Sequence, residues 1–425
     1  MMKSRRKRCF MLRCGVLVLL IFVMAGCTTR KDPSGEPGSS AGKSGTPTTQ
    51  VTIAPDPSAA SDEDDTSDVR TTPGGTDAPG ITTTPECPVE DEDAELRQIL
   101  KEMTLEEKVG QMFLVRCPED AIEGIRNYHV GGYVLFARDF DGETKASVGD
   151  TVALYQETSK IPLLISVDEE GGTVVRISKY PAFRERAFLS PRELYSEGGI
   201  ERIAEDTKEK AELLLSLGIN VNLAPVCDIS GSRDAFMYNR SFGGTAEETA
   251  EYVKTVVETA KKAGLGSVLK HFPGYGDNAD THEGIVYDTR TYETYTENDF
   301  VPFLAGIDAG AGAVMVAHNV VQCMDAEVPA SLSPEVHRIL REELSFDGVI
   351  LTDDLYMDAI QDFTGKEAAA VAAVLAGNDM LCCTDFTVQI PAVIGAVKEG
   401  RISEEQIDAS VLRILKWKSE LGILE

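Results

Sequence analysis

Asp168 and Glu169, Asp228, Lys270 and His271, His318 and Asn319, and Asp353 and Asp354 each stand at or just past the end of a short apolar run. One charged residue in such a place is ordinarily the solvated start of a loop. Several runs ending this way, if they lie side by side, bring their polar side chains to one pocket. A carboxylate such as Asp353, leaving the apolar stretch Gly348-Val349-Ile350-Leu351-Thr352, then projects into the pocket mouth and can attack or stabilise a cationic centre. Side chains alternate at a strand end, so Asp354 points elsewhere. Either member of the pair can instead cap the helix that follows.

The stretch from Lys270 to His282 carries a second set of candidates. Pro273, Gly274 and Gly276 make it an irregular loop leaving a strand. Lys270 and His271 can hydrogen-bond hydroxyl groups of a substrate. Asp280 and His282 are two apart, which shares no face of a helix but is compatible with contact on a loop. Asp280 would accept from one ring nitrogen of His282 and leave the other free for proton transfer, at a side chain that titrates near neutrality. The bland alternative is a surface loop with a local hydrogen bond.

Eight apolar runs read as buried strands: Gln111–Arg116, Gly132–Ala137, Pro162–Val167, Ile219–Pro225, Gly266–His271, Ala313–His318, Gly348–Thr352 and Asp379–Cys383. Helical periodicity fills most intervals, over Ile200–Leu217, Glu247–Ala263, Glu335–Leu344 and Gly365–Ala376. It also marks Leu96–Gly110, with a capping-box pattern at Thr104 and Glu107, and a closing helix over Glu404–Leu421. Strand–helix alternation implies parallel neighbours joined by crossovers. Eight such units predict an α/β fold, a closed (β/α)8 TIM-type barrel, with an open doubly wound sheet as the alternative. Trp417 belongs to the buried face of the last helix. Cys382 and Cys383 belong to strand core, His318 is either packed or a ligand, and His129 and His337 belong to the surface.

Four segments give the sequence a resemblance to glycoside hydrolase family 3, in its β-N-acetylglucosaminidase branch. Val167-Asp168-Glu169-Glu170-Gly171-Gly172-Thr173-Val174-Val175-Arg176 resembles that family's substrate-binding turn, and Asn239-Arg240-Ser241-Phe242-Gly243 its second arginine site. Lys270-His271-Phe272-Pro273-Gly274 with Asp280-Thr281-His282 resembles its catalytic loop, and Phe346-Asp347-Gly348-Val349-Ile350-Leu351-Thr352-Asp353-Asp354-Leu355 its nucleophile strand. The resemblance implies a retaining enzyme that removes terminal N-acetylglucosamine from cell-wall (peptidoglycan) fragments or chitooligosaccharides. It implies Asp353 as nucleophile, His282 as general acid/base oriented by Asp280, and Asp168, Arg176, Arg240, Lys270 and His271 as sugar-binding residues. It implies neither metal nor organic cofactor. Tyr275 stands where many relatives carry histidine and Thr173 where many carry arginine, which bears on specificity rather than on the reaction. The chain ends soon after the eighth run, so a single catalytic domain without a second sandwich domain is expected, with the acid drawn from the barrel itself. Phosphorolysis, a β-glucosidase of the same family and a non-catalytic sugar-binding lipoprotein remain as rivals.

The rest of the sequence places this domain. A formal net charge of −29 opposes nucleic-acid binding, which needs a basic patch. Lys3, Arg5, Arg6, Lys7 and Arg8 precede an apolar run from Gly15 to Ala25, and Val23-Met24-Ala25-Gly26-Cys27 resembles a bacterial lipobox with Met24 where Leu is usual. Residues 1–27 are therefore expected to be a lipoprotein signal peptide, with Cys27 lipidated and the protein held on the extracellular face of the cytoplasmic membrane. An uncleaved anchor helix would give the same location. Residues 28–92, rich in Thr, Pro, Ser and Gly, lack the apolar content to fold and read as a disordered tether. Residues 93–425 are expected to form the catalytic barrel. The remaining cysteines show no metal-ligand spacing, so most are expected to be small buried hydrophobes.

Overall fold

The computed structural model describes residues 93–364 and 366–424. The expected signal peptide with Cys27 and the tether over 28–92 lie outside the described residues.

Eight parallel strands form the frame: β1 (Phe113–Arg116), β2 (Gly132–Leu135), β3 (Leu164–Val167), β4 (Val221–Asn222), β5 (Gly266–Phe272), β6 (Ala313–Val316), β7 (Val349–Thr352) and β8 (Leu381–Cys383). Each pairs with the next in the chain from β1 to β7, and β8 pairs with β1 through Phe113–Leu381 and Leu114–Cys382. A single parallel bridge, Leu351 to Met380, closes the ring between β7 and β8. The predicted barrel is thus observed, nearly closed, with every predicted run contributing one strand. The strands are almost uninterrupted in apolar or small residues because helices cover their outer faces.

The crossovers start where the sequence can cap them. Ser190 and Glu193 form a reciprocal capping box ahead of Pro191–Ser216, and Thr245 and Glu248 do the same ahead of Ala246–Ala263. The Thr104–Glu107 box exists, but it opens a new helix. The expected stretch Leu96–Gly110 is two helices, Ala94–Glu102 and Leu105–Gln111, because Thr104 takes the extended conformation of an N-cap. The predicted helix over Ile200–Leu217 begins earlier, at Pro191, with a break at Gly198 and Gly199. The helix near Glu335 runs from Pro334 to Arg338 and continues into a wider π-type turn, Ile339–Glu343.

The last helix, Glu404–Glu420, docks against the end of the barrel where the strands begin. Trp417 lies against the backbone of Gly312, where a Cβ would sit 1.9 Å from its Nε1. Cys382 and Cys383 are strand core, as expected. His337 is not a surface residue: it is buried, with Nδ1 2.8 Å from the carbonyl of Ser333 one turn earlier.

Lys418 on this helix is fully buried, its Nζ donating to Gln111 Oε1 at 2.6 Å and to the Gly131 carbonyl at 3.0 Å. Burial pushes its pKa down to about 7. Between that value and the ordinary lysine range the unfolded chain binds the proton and the folded chain does not. Stability therefore rises with pH across this window, by up to about 1.4 kcal/mol per pH unit from this group, and the penalty is complete below it. The melting temperature of wild type minus that of Lys418→Met should climb from neutral pH to about 9.5. Parallel profiles would show that Lys418 does not titrate there.

Candidate active site

The strand ends open onto a cavity of about 800 Å³, lined among others by Arg116 of β1, Phe136 after β2, Asp168 after β3, Lys270 of β5, and Asp353 after β7. This is the carboxyl end of the barrel, where such folds place their sites.

The turn after β3 is built by Glu169. Its buried carboxylate accepts from the backbone N–H of Arg176 and of Ile177 at 2.8 Å each, and of Ser178 at 3.2 Å. Gly171 and Gly172, both at positive φ, make the reversal. Asn222 at the end of β4 holds the Glu169 backbone from both sides, accepting from its N–H at 3.0 Å and donating to its carbonyl at 3.1 Å. The result returns Arg176 to the pocket, 3.6 Å from Asp168.

Asp168 and Glu170 are two apart and so share a face of the extended chain, while Glu169 points the other way. Lys270 Nζ lies between them, 2.7 Å from Asp168 and 2.6 Å from Glu170. Arg240 grips Glu170 through Nε at 3.0 Å and Nη2 at 2.7 Å. Burial alone would raise the Glu170 pKa, but the charges of Arg240 and Lys270 hold it well below the usual carboxylate range. Burial works against the charge of Lys270, yet Asp168 and Glu170 raise its pKa above the ordinary value.

The ladder continues to His271. Arg240 Nη2 lies 3.3 Å from His271 Nε2, and His271 Nδ1 lies 2.7 Å from Asp228 Oδ2. Guanidinium only donates, so Nε2 accepts and the proton sits on Nδ1, facing Asp228. Asp228 also accepts from the backbone N–H of His271 at 3.1 Å and of Tyr275 at 2.7 Å. A register shift in β5 between Leu269 and Phe272 lets the adjacent Lys270 and His271 both line the cavity.

Asp280 and His282 do meet. Asp280 Oδ1 accepts from the His282 backbone N–H at 2.9 Å and lies 2.6 Å from its Nδ1, which leaves Nε2 free. Both residues line the same cavity as Asp353, and the exposed His282 ring faces Phe236 with centroids 6.3 Å apart. The loop is tied down by the buried Tyr275, whose hydroxyl contacts Thr281. Arg290 braces it further, with Nη2 donating to the Gly274 carbonyl at 2.8 Å and Nη1 to Asp299 at 2.9 Å.

Asp353 accepts at Oδ1 from the Asp354 N–H at 2.8 Å. Burial would raise its pKa, but that N–H favours the ionised form and the carboxyl is held below the ordinary carboxylate value. Asp354 turns aside and organises the turn, accepting from the Tyr356 N–H at 3.0 Å and the Thr384 hydroxyl at 3.1 Å. Burial and the charge of Asp353 raise its own pKa. His318 is packed beneath this turn. Its Nε2 donates to the Asp354 carbonyl at 3.1 Å, so Nδ1 accepts from the Ser331 hydroxyl at 2.7 Å, and burial lowers its pKa. The pocket therefore combines an ionised carboxylate, an imidazole with one free nitrogen, and a wall of paired charges suited to hydroxyl groups.

All eight catalytic and sugar-binding candidates read from the sequence, Asp168, Arg176, Arg240, Lys270, His271, Asp280, His282 and Asp353, line this one cavity. Glu170 and the pairing role of Asp228 were not foreseen. The period-2 alternation placing Glu170 beside Asp168 is the signal that could have found the first. Among the described residues, no group of three or more His, Cys, Asp or Glu side chains is placed to hold a metal ion.

The model of the glycosyl hydrolase family 3 N-terminal domain matches residues 104–417. A β-hexosaminidase, LpqI of Mycobacterium tuberculosis, is 30% identical over 326 residues, covering 73% of this chain and 82% of the relative. A β-hexosaminidase of Xanthomonas campestris pv. campestris is 34% identical over 295 residues, covering 64% of this chain and 86% of the relative. The solved family 3 β-N-acetylglucosaminidase of Paenibacillus sp. FPU-7 superposes with a TM-score of 0.71 at 35% identity, over 76% of this chain but only 63% of that protein.

Proposed function

The chain belongs to glycosyl hydrolase family 3 and is a glycoside hydrolase, and from that premise we propose that it is a retaining exo-β-N-acetylglucosaminidase. The observation that carries the proposal is the Asp280–His282 pair opening, through a free imidazole nitrogen, onto the same cavity as the ionised Asp353. Asp353 attacks the anomeric carbon of the terminal N-acetylglucosamine while His282 protonates the departing oxygen. A glycosyl ester on Asp353 results. His282, now neutral, takes a proton from water, which displaces the ester from the opposite face, so two inversions give net retention. Asp280 keeps the His282 proton on Nδ1 in the neutral form and stabilises the imidazolium. Asp168, Arg176, Arg240, Lys270 and His271 hold the terminal sugar.

The relatives' names speak only for the terminal sugar; the chains carrying it are, in this reading, cell-wall fragments or chitooligosaccharides. The protein would act on the extracellular face of the cytoplasmic membrane, anchored through Cys27 and spaced by residues 28–92.

The test is an assay with an aryl β-N-acetylglucosaminide and an aryl β-glucoside side by side in phosphate buffer. Faster release from the first, with free N-acetylglucosamine as product, is expected. Preference for the glucoside would overturn the sugar, and a sugar 1-phosphate product would overturn hydrolysis.

A further inference from the structure

Arg116, Arg176, Arg240 and Lys270 are the cations that line the pocket. Lys270, Arg240 and Arg176 each face a carboxylate of the ladder. Arg116, the last residue of β1, does not. Among the described residues its side chain makes no hydrogen bond or ion pair, and its Nε is enclosed without a partner. Its guanidinium lies 4.3 Å over the ring of Phe136.

The carboxylates that feel its charge, Asp354 and Asp139, are committed elsewhere. Asp354 serves Tyr356 and Thr384, and Asp139 accepts from the Phe136 N–H at 2.7 Å and lies 3.6 Å from Arg138. Arg176 stands 5.7 Å over the same Phe136 ring, and its Nε too lacks a partner. One aromatic ring therefore carries two guanidiniums with unused donors at the wall of the cavity. Stacking fixes the plane of a guanidinium and leaves its edge for a planar or tetrahedral oxyanion, the group that matches its donors best.

We propose that Arg116, assisted by Arg176, is the receptor for an anionic oxygen group, carboxylate or phosphate, borne by the glycan, so that the enzyme selects acidic over neutral sugar chains. This rests on the exo-β-N-acetylglucosaminidase reading and names the substrate feature it favours. The anion can sit on the terminal sugar or on the sugar that follows it. The site supplies charge-assisted hydrogen bonds in either case.

The full-length protein is assayed in two arms. One compares an aryl β-N-acetylglucosaminide with its 6-O-phosphorylated counterpart. The other compares a disaccharide whose second sugar carries a carboxyl group with its methyl ester. The readout is the acidic-to-neutral ratio of kcat/KM. In one arm this ratio is expected to be about tenfold or more at low salt, to shrink as salt rises, and to fall by about tenfold in Arg116→Gln while Arg116→Lys keeps part of it. The arm that shows the preference identifies the sugar carrying the anion. Ratios near unity in both arms overturn the proposal, as does an Arg116→Gln variant that loses acidic and neutral turnover alike. Absence of turnover on every substrate brings down the catalytic reading instead, and the preference is then read from Kd values for the same ligands.

Discussion

Asp353→Asn is expected to lower kcat/KM for an aryl β-N-acetylglucosaminide on the order of 10⁴–10⁶-fold, the range over which removal of a covalent catalyst is felt. The amide is nearly isosteric and can still accept from the Asp354 N–H, so the turn after β7 should survive and the loss should be chemical. What disappears is the atom that forms the glycosyl ester and the negative charge opposite the developing oxocarbenium ion. A thermal melt beside the kinetics separates this loss from unfolding. Turnover within about tenfold of wild type would remove Asp353 from the reaction. The carboxyl is held below the ordinary range, so it stays ionised as pH falls through the values where exposed carboxylates protonate. The acid limb of the activity profile should therefore not be set by Asp353.

His282→Ala is expected to cost on the order of 10²–10⁴-fold with a sugar leaving group, because an alkoxide cannot depart unprotonated. With a nitrophenolate leaving group the first step needs little proton donation, and the loss should be much smaller for glycosylation. The split between leaving groups is the diagnostic. His282 is exposed and contacts the barrel through Asp280 and the Phe236 side, so a purely structural defect would depress both substrates equally. Equal losses, or none, would assign the proton to another group.

The barrel was legible because its strands are covered on both faces and stand out as apolar runs, whereas helix limits depend on local capping. Thr104 shows this: the same capping box that suggested one helix starts a second. The candidate site was legible at the strand ends and in the Asp-x-His spacing. Its pairings were not, because they join distant segments: Glu170 meets Arg240 across 70 residues, and Asp168 meets Lys270 across 102. The free guanidinium of Arg116 was invisible for the same reason, since a lack of partners is a property of the folded pocket. His337 was misplaced on the surface because polarity was weighed without the Ser333 carbonyl that accepts from it.

The ladder from Arg176 through Asp168, Lys270, Glu170, Arg240 and His271 to Asp228 also bears on how such a sequence can drift. Deleting Glu170 leaves the largely buried Arg240 without its carboxylate, at a cost of roughly 3–5 kcal/mol for a broken buried pair. A single substitution there is costly, and a coupled exchange, in which both partners change together, costs less. Arg116 lies outside this lock. Selection can replace it without breaking a pair, so lineages that share the reaction can diverge at β1 in the glycans they accept.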